Sequence, residues 1–207
     1  MDNESLKKLV YSKNVVEFIT VASEFCGIIE NVRKFSLEDN LKKMQLILPL
    51  LYLKAALLPN PAKLMEEELE KFVSEMDYNL QLQKWLEVLG EHDSFYEVFD
   101  PDIQFGEEIT TASISESLID IYQDLKDFLT SYSIGDELIM NDSLYDCVFH
   151  FEQFWGQRLV NVLRAIHMLI TGDIDFSEDS GITHKPGTQT VRPEWFDKFF
   201  NAGSGEE

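Results

Sequence analysis

Leu46-Ile47-Leu48-Pro49-Leu50-Leu51-Tyr52-Leu53-Lys54-Ala55-Ala56-Leu57-Leu58 is the stretch on which the fold class turns. Placed on a helix at about 100° per residue, its leucines and isoleucine point to every side of the axis. A helix that is apolar all round is one enclosed by others. Ser36, three residues ahead of Asp39, supplies an N-cap at its start, and Pro59 and Pro61 stop it. The reading is a buried central helix over residues 37–58, bent at Pro49 because proline lacks the amide donor. Its most apolar part, Leu46 to Leu53, is far shorter than the roughly 20 residues a membrane-spanning helix needs. Lys42, Lys43 and Lys54 bracket it.

The remaining periodicity surrounds this element with helices. Val15, Phe18, Ala22, Phe25, Cys26, Ile29 and Val32 share one face of a helix over about residues 13–32. Between residues 63 and 89 the apolar stripe changes side, which predicts two helices broken near Asp77-Tyr78-Asn79 and ended by Gly90. Residues 91–108 form the longest connection, with a turn at Asp100-Pro101. Ile114, Leu118, Ile121, Leu125 and Phe128 line a helix over residues 111–131. A pattern from Asp136 to Ile170 would be about 50 Å long if unbroken, so an interruption is expected near Asn141-Asp142-Ser143. The expectation is an all-α domain over residues 1–172, a compact bundle of six to seven helices. A polar tail, 173–207, follows and carries a short amphipathic helix at 193–200. Its Trp195, Phe196, Phe199 and Phe200 cannot bury themselves on so small a piece and call for a docking surface, in the same chain or in a partner.

Charge narrows the function classes. The chain carries 38 Asp+Glu against 17 Lys+Arg, a formal net charge of -21. Such a surface repels phosphate backbones and anionic membranes and leaves a basic protein as the natural partner. The start, Met1-Asp2-Asn3-Glu4-Ser5, has neither the basic residues nor the apolar core of a signal peptide, so a cytoplasmic location is expected. Cys26 and Cys147 are isolated within apolar stretches and read as small core residues.

Three constellations carry chemical potential. Glu66, Glu67 and Glu70, with Glu97 and Asp100, spell the E-E-x-x-E and E-x-x-D pattern by which all-helical nucleotide phosphohydrolases hold Mg²⁺, provided both segments are helical. Pro101 directly after Asp100 counts against the second helix. Asp146 and His150 fall opposite the Trp155 stripe, on what reads as a solvated face. Arg158 falls within the apolar face of that helix, with Glu152 at its edge. A charge beside a core requires a partner, and Asp124 and Glu152 are the expected carboxylates.

The chain resembles a bacterial family known as domain of unknown function 5063. The residues that carry the resemblance are Val15-Val16-Glu17-Phe18-Ile19 with Phe25-Cys26, and Tyr96-Glu97-Val98-Phe99-Asp100-Pro101. Further on they are Leu118 to Lys126, and Phe151-Glu152 through Trp155-Gly156 to Leu163-Arg164-Ala165-Ile166-His167. The resemblance covers about residues 14–171 and implies an intracellular helical domain, with no assigned activity. It directs attention to Asp120, Tyr122, Asp124, Trp155, Gly156, Arg164 and His167, as a site or as a packing seam. Gln157 stands where relatives lead one to expect a basic residue or His, which weakens any metal or acid–base role carried over. The leading expectation is a non-enzymatic protein-binding module, adaptor or regulatory, that needs no cofactor. Its rivals are the Mg²⁺-dependent nucleotide phosphohydrolase and a small-molecule sensor with a pocket lined by Tyr122 and Trp155 between the Asp124 and Arg158 helices.

Overall fold

A computed structural model describes residues 3–97 and 111–172; Asp100 and the whole tail, with Trp195, Phe196, Phe199 and Phe200, lie outside the described residues. Seven α-helices account for most of it: α1 (Asn3–Val10), α2 (Lys13–Glu30), α3 (Leu37–Ala56), α4 (Glu75–Leu89), α5 (Ile114–Ser133), α6 (Glu137–His150) and α7 (Gly156–Thr171). Two three-residue strands, β1 (Ser94–Tyr96) and β2 (Thr111–Ser113), pair antiparallel with Phe95 opposite Ala112. Neither α1 nor this hairpin is foreshadowed by periodicity, because each is too short to show one. The fold is all-α, as the apolar pattern requires.

Four helices pack on α5, namely α2, α4, α6 and α7. Beside the stripe Ile114, Leu118, Ile121, Leu125 and Phe128 it buries Ser115, Ile119, Tyr122 and Asp127, so its neighbours enclose it on several sides. Helix α3 lies against α2 and α7. Ser36 caps it as expected, accepting a hydrogen bond from the Asp39 amide at 3.1 Å. Only its inner half is enclosed, by Leu41, Met44, Ile47, Leu48, Leu51 and Ala55. Leu46, Leu53 and Leu57 are 44%, 53% and 47% exposed, and the helix runs unbroken through an exposed Pro49.

The segment between α3 and α4 corrects the two-helix expectation for residues 63–89. Residues 57–74 form an extended strap, and a single helix follows. Asp77 does not mark a break. It closes a capping box with Ser74 at the start of α4. The strap is held by two buried carboxylates. Asp142 accepts from the amides of Leu64 (2.9 Å) and Met65 (2.7 Å), and Asp127 accepts from those of Phe72 (2.7 Å) and Val73 (2.9 Å). A polar Asn141-Asp142-Ser143 inside the long helical pattern therefore signals side-chain bonds to another segment. The helix does not stop there.

The rod from Glu137 to Thr171 is interrupted elsewhere, by a π-helical turn over Phe151–Trp155. Inserting one residue into the helix rotates everything after it by about 100°. This brings Trp155, Leu159, Val162 and Ile166 onto the core. The amide of Gly156 bonds to the Phe151 carbonyl, and the Phe151 ring lies 4.7 Å from that of Trp155. A Cβ at position 156 would sit 2.5 Å from the Phe151 oxygen and 2.9 Å from its ring, so this position needs glycine.

Candidate functional site

Helices α5, α6 and α7 carry the charged residues singled out from the sequence, and the structure sorts them into separate groups. On the α5–α7 side, Arg158 pairs with Asp120 at 2.6 Å and lies over the Phe154 ring at 4.5 Å. Tyr78 of α4 donates to the same carboxylate at 2.7 Å. Desolvation and the Asp120 charge push the Tyr78 hydroxyl well above the ordinary phenol range. The expected partners of Arg158, Asp124 and Glu152, are not the ones it uses. Asp120 is one turn before Asp124 on the same side of α5. Glu152 is exposed.

Asp124 instead accepts from Nδ1 of His150 at 2.9 Å. That hydrogen bond raises the His150 pKa, outweighing the desolvation that opposes it. Asp146, one turn earlier on α6, is half-buried, and its pKa is raised by burial. Asp146 and His150 therefore do not lie on a solvated face, because the strap covers them. Glu70 and Lys71 of the strap join Asp124, Asp127, Asp146 and His150 around a cavity of about 20 Å³. That volume admits one water molecule and no ligand.

Tyr122 points to α2, away from both groups. Its hydroxyl donates to Glu30 at 3.0 Å, and Lys126 reaches the same carboxylate at 2.7 Å. Trp155 is wholly buried, and its Nε1 has no partner among the described residues. Tyr122 and Trp155 thus do not line a common pocket, and the sensor reading loses the geometry it required. The larger cavity beside Arg158, about 310 Å³, is lined by Glu97, Glu116, Ser117, Gln153, Phe154 and neighbouring residues. Arg164 donates to the Tyr96 carbonyl at 2.6 Å, and the buried Asn161 donates to Glu97 at 3.1 Å, so both tie α7 to the β-hairpin. His167 lies 3.3 Å from Gln45 of α3, joining two helices. These contacts are packing seams.

The Mg²⁺ reading needed Glu66, Glu67 and Glu70 on a helix. They lie in the extended strap and are exposed, so they do not project from one helical face. Among the described residues, no group of three or more His, Cys, Asp or Glu side chains is placed to hold a metal ion. Both cysteines are buried, and desolvation drives their thiols far toward the protonated form. Neither is a nucleophile in this state. No described helix is long and apolar enough to cross a membrane.

Sequence reasoning missed two features that shape the surface. The buried pins Asp127 and Asp142 were invisible, since a lone Asp on a helix does not announce a backbone partner 54 to 78 residues away. The strap's outward residues were the other. Leu64 and Phe72 of the strap are 39% and 36% exposed, Met76 and Leu80 at the start of α4 are 81% and 47% exposed, and the carboxylates of Glu66, Glu67, Glu68 and Glu70 stand between Leu64 and Phe72 in the chain.

The architecture defines the class: an all-helical domain organised on α5, with a π-turn in its longest rod and an acidic strap across α5 and α6. The chain belongs to the domain of unknown function family DUF5063, whose model matches residues 9–171. The crystal structure of protein BF1032 from Bacteroides fragilis, a structural-genomics target, is similar to it. The two are 36% identical with a TM-score of 0.71, over 81% of this chain and 98% of that one. No curated protein matches the chain.

Proposed function

We propose that the chain is a non-enzymatic protein-binding module, adaptor or regulatory in role, and that a basic protein docks on the face made by the strap and the start of α4. The observation that carries this reading is the strap itself. Two buried carboxylates fix an extended segment that adds little to the core and presents Glu66, Glu67, Glu68 and Glu70 outward. Apolar anchors among like charges are what a cationic partner with shallow pockets recognises, the anchors supplying affinity and the carboxylates steering the encounter. Met76 and Leu80, one turn apart on α4, and Phe72 at the end of the strap give such anchors. The reading requires no cofactor.

The test is quantitative capture from lysate of the source cell with the full chain, compared with E66Q/E67Q/E68Q/E70Q and with M76D. Binding of a discrete basic protein, lost in both variants and weakened by salt, is the expected result. Capture of the same proteins by the quadruple variant, or capture that salt does not weaken, would remove the reading.

A further inference from the structure

The strap is held at two places, with a span between them that is not pinned. Its four pinned amides belong to Leu64 and Met65 at one end and to Phe72 and Val73 at the other. Residues 66–71 bridge the interval; Leu69 is half-buried and the other five are exposed. A segment with so little apolar surface to lose can open locally while the domain stays folded. Beneath it lies the water-sized cavity, lined by charged groups from three elements. Asp124 and Asp127 come from α5, Asp146 and His150 from α6, and Glu70 and Lys71 from the strap itself.

His150 has one set of neighbours that stays when residues 66–71 lift and another that leaves. Its Nδ1 bond to Asp124, at 2.9 Å, joins α5 to α6 without the strap. That bond raises the His150 pKa, Asp146 adds to it, and desolvation and the Lys71 charge oppose it. Lys71 and a share of the desolvation belong to the strap, and Asp127 holds Lys71 over the floor at 4.0 Å. Glu70 attracts an imidazolium, but it is exposed, as are Glu66, Glu67 and Glu68, and water screens such charges. Lys63, beyond the first pin, acts on Asp146. An imidazolium is therefore worse placed under the closed segment than under the open one, and a proton taken up there favours opening. We propose that residues 66–71 form a proton-operated flap, which lifts from the α5–α6 floor when His150 gains a proton while the Asp142 and Asp127 pins hold its two ends. Asp146 works in the opposite sense, because burial raises its pKa and the covered form then holds the proton.

The protein contains its own reporter. Cys147 lines the cavity under the flap and is 2% exposed, whereas Cys26 is buried on α2. The full chain is treated with a thiol reagent at about pH 6 and about pH 8, on either side of the imidazole range. Modification of each cysteine is located by mass spectrometry and scaled to its rate in the unfolded chain at the same pH. Cys147 should be several-fold less protected at the lower pH, with no such loss at Cys26, and in His150→Gln it should stay protected at both. A second measurement leaves the Asp124–His150 pair intact: in Lys71→Met, NMR titration of the His150 ring should move to higher pH than in the wild type. Protection of Cys147 that ignores pH or rises on acidification would overturn the inference. So would the same pH dependence in His150→Gln, modification of the two cysteines in step, or a ring titration unmoved by Lys71→Met. No partner enters either measurement, so the flap and the docking proposed for the strap's outer face fail separately.

Discussion

Replacing Gly156 by alanine should destabilise the domain, although glycine-to-alanine in a helix normally does the opposite. Alanine gains about 1 kcal/mol over glycine inside a helix. At Gly27, in α2, a new Cβ has nothing within 4 Å, so G27A is expected to realise that gain. At position 156 the Cβ meets the Phe151 carbonyl oxygen at 2.5 Å and two carbons of its ring at 2.9 and 3.0 Å. The first of these is backbone, which cannot swing away. Overpacking of this kind costs about 1–3 kcal/mol, and contact with backbone puts it at the upper end. The net is a loss of about 2 kcal/mol, or roughly 4–8 °C in Tm for a chain of this length. The strain has no cheap exit. Converting the π-turn to regular α-helix would rotate α7 by about 100° and carry Leu159, Val162 and Ile166 off the core. Paired calorimetric melts of G27A and G156A measure this directly. The two variants should shift Tm in opposite directions, and a G156A protein that melts as high as G27A would refute the account of the π-turn.

Two further predictions concern the strap and the cluster beneath it. Asp142→Ala removes the acceptor for the Leu64 and Met65 amides. Bonds to a charged acceptor contribute about 1.5–3 kcal/mol, and the exposed strap can rehydrate, so a loss of about 2 kcal/mol is expected. Trypsin should nick the variant faster at Lys63 and Lys71 than it nicks the wild type, and equal rates would show that the pin does not hold the strap. The second prediction is a pH dependence. His150 has a raised pKa, so it binds its proton more tightly folded than unfolded. Its contribution is therefore complete below the ordinary value of 6.5 and lost as pH rises through the folded value. Asp124 and Asp146 favour the charged imidazole and Lys71 opposes it. Denaturant-derived unfolding free energy should fall as pH rises from 6.5 through the raised folded value, and His150→Gln should flatten that slope; an unchanged slope would place the titration elsewhere.

What was legible in the sequence divides along physical lines. Helices α2 and α7 each bury one stripe, and a 3.6-residue period exposes such stripes directly; α5 shows the same apolar stripe but is buried on further sides by polar residues that no period marks. The π-turn was illegible because a single inserted residue leaves each half of the rod with a regular pattern and changes only the phase between them. Which of two carboxylates one turn apart on α5 Arg158 meets depends on how the helices align lengthwise, which no period records, so Asp120 was missed while Asp124 was expected. The strap was illegible for a different reason. Leu69, Phe72, Val73 and Met76 fit a helical face, but two of the four, Phe72 and Met76, are exposed, and Asp127 offers their segment an alternative to helical hydrogen bonding. Local pattern and a distant acceptor competed, and the acceptor prevailed.

Helix α3 shows where periodicity has an intrinsic blind spot. Leucine on every side of a helix says that each side prefers to leave water, and says nothing about whether the cover comes from the same chain. Inside the domain the inner leucines and isoleucine are wholly enclosed, while Leu46, Leu53 and Leu57 are not. The same composition is therefore compatible with a buried helix in a monomer and with a half-buried helix that completes itself in a second copy. Spacing along the helix does not separate the two, because the four-three-four of Leu46, Leu50, Leu53 and Leu57 is also that of the enclosed Met44, Leu48, Leu51 and Ala55, and is what any one face of a helix shows.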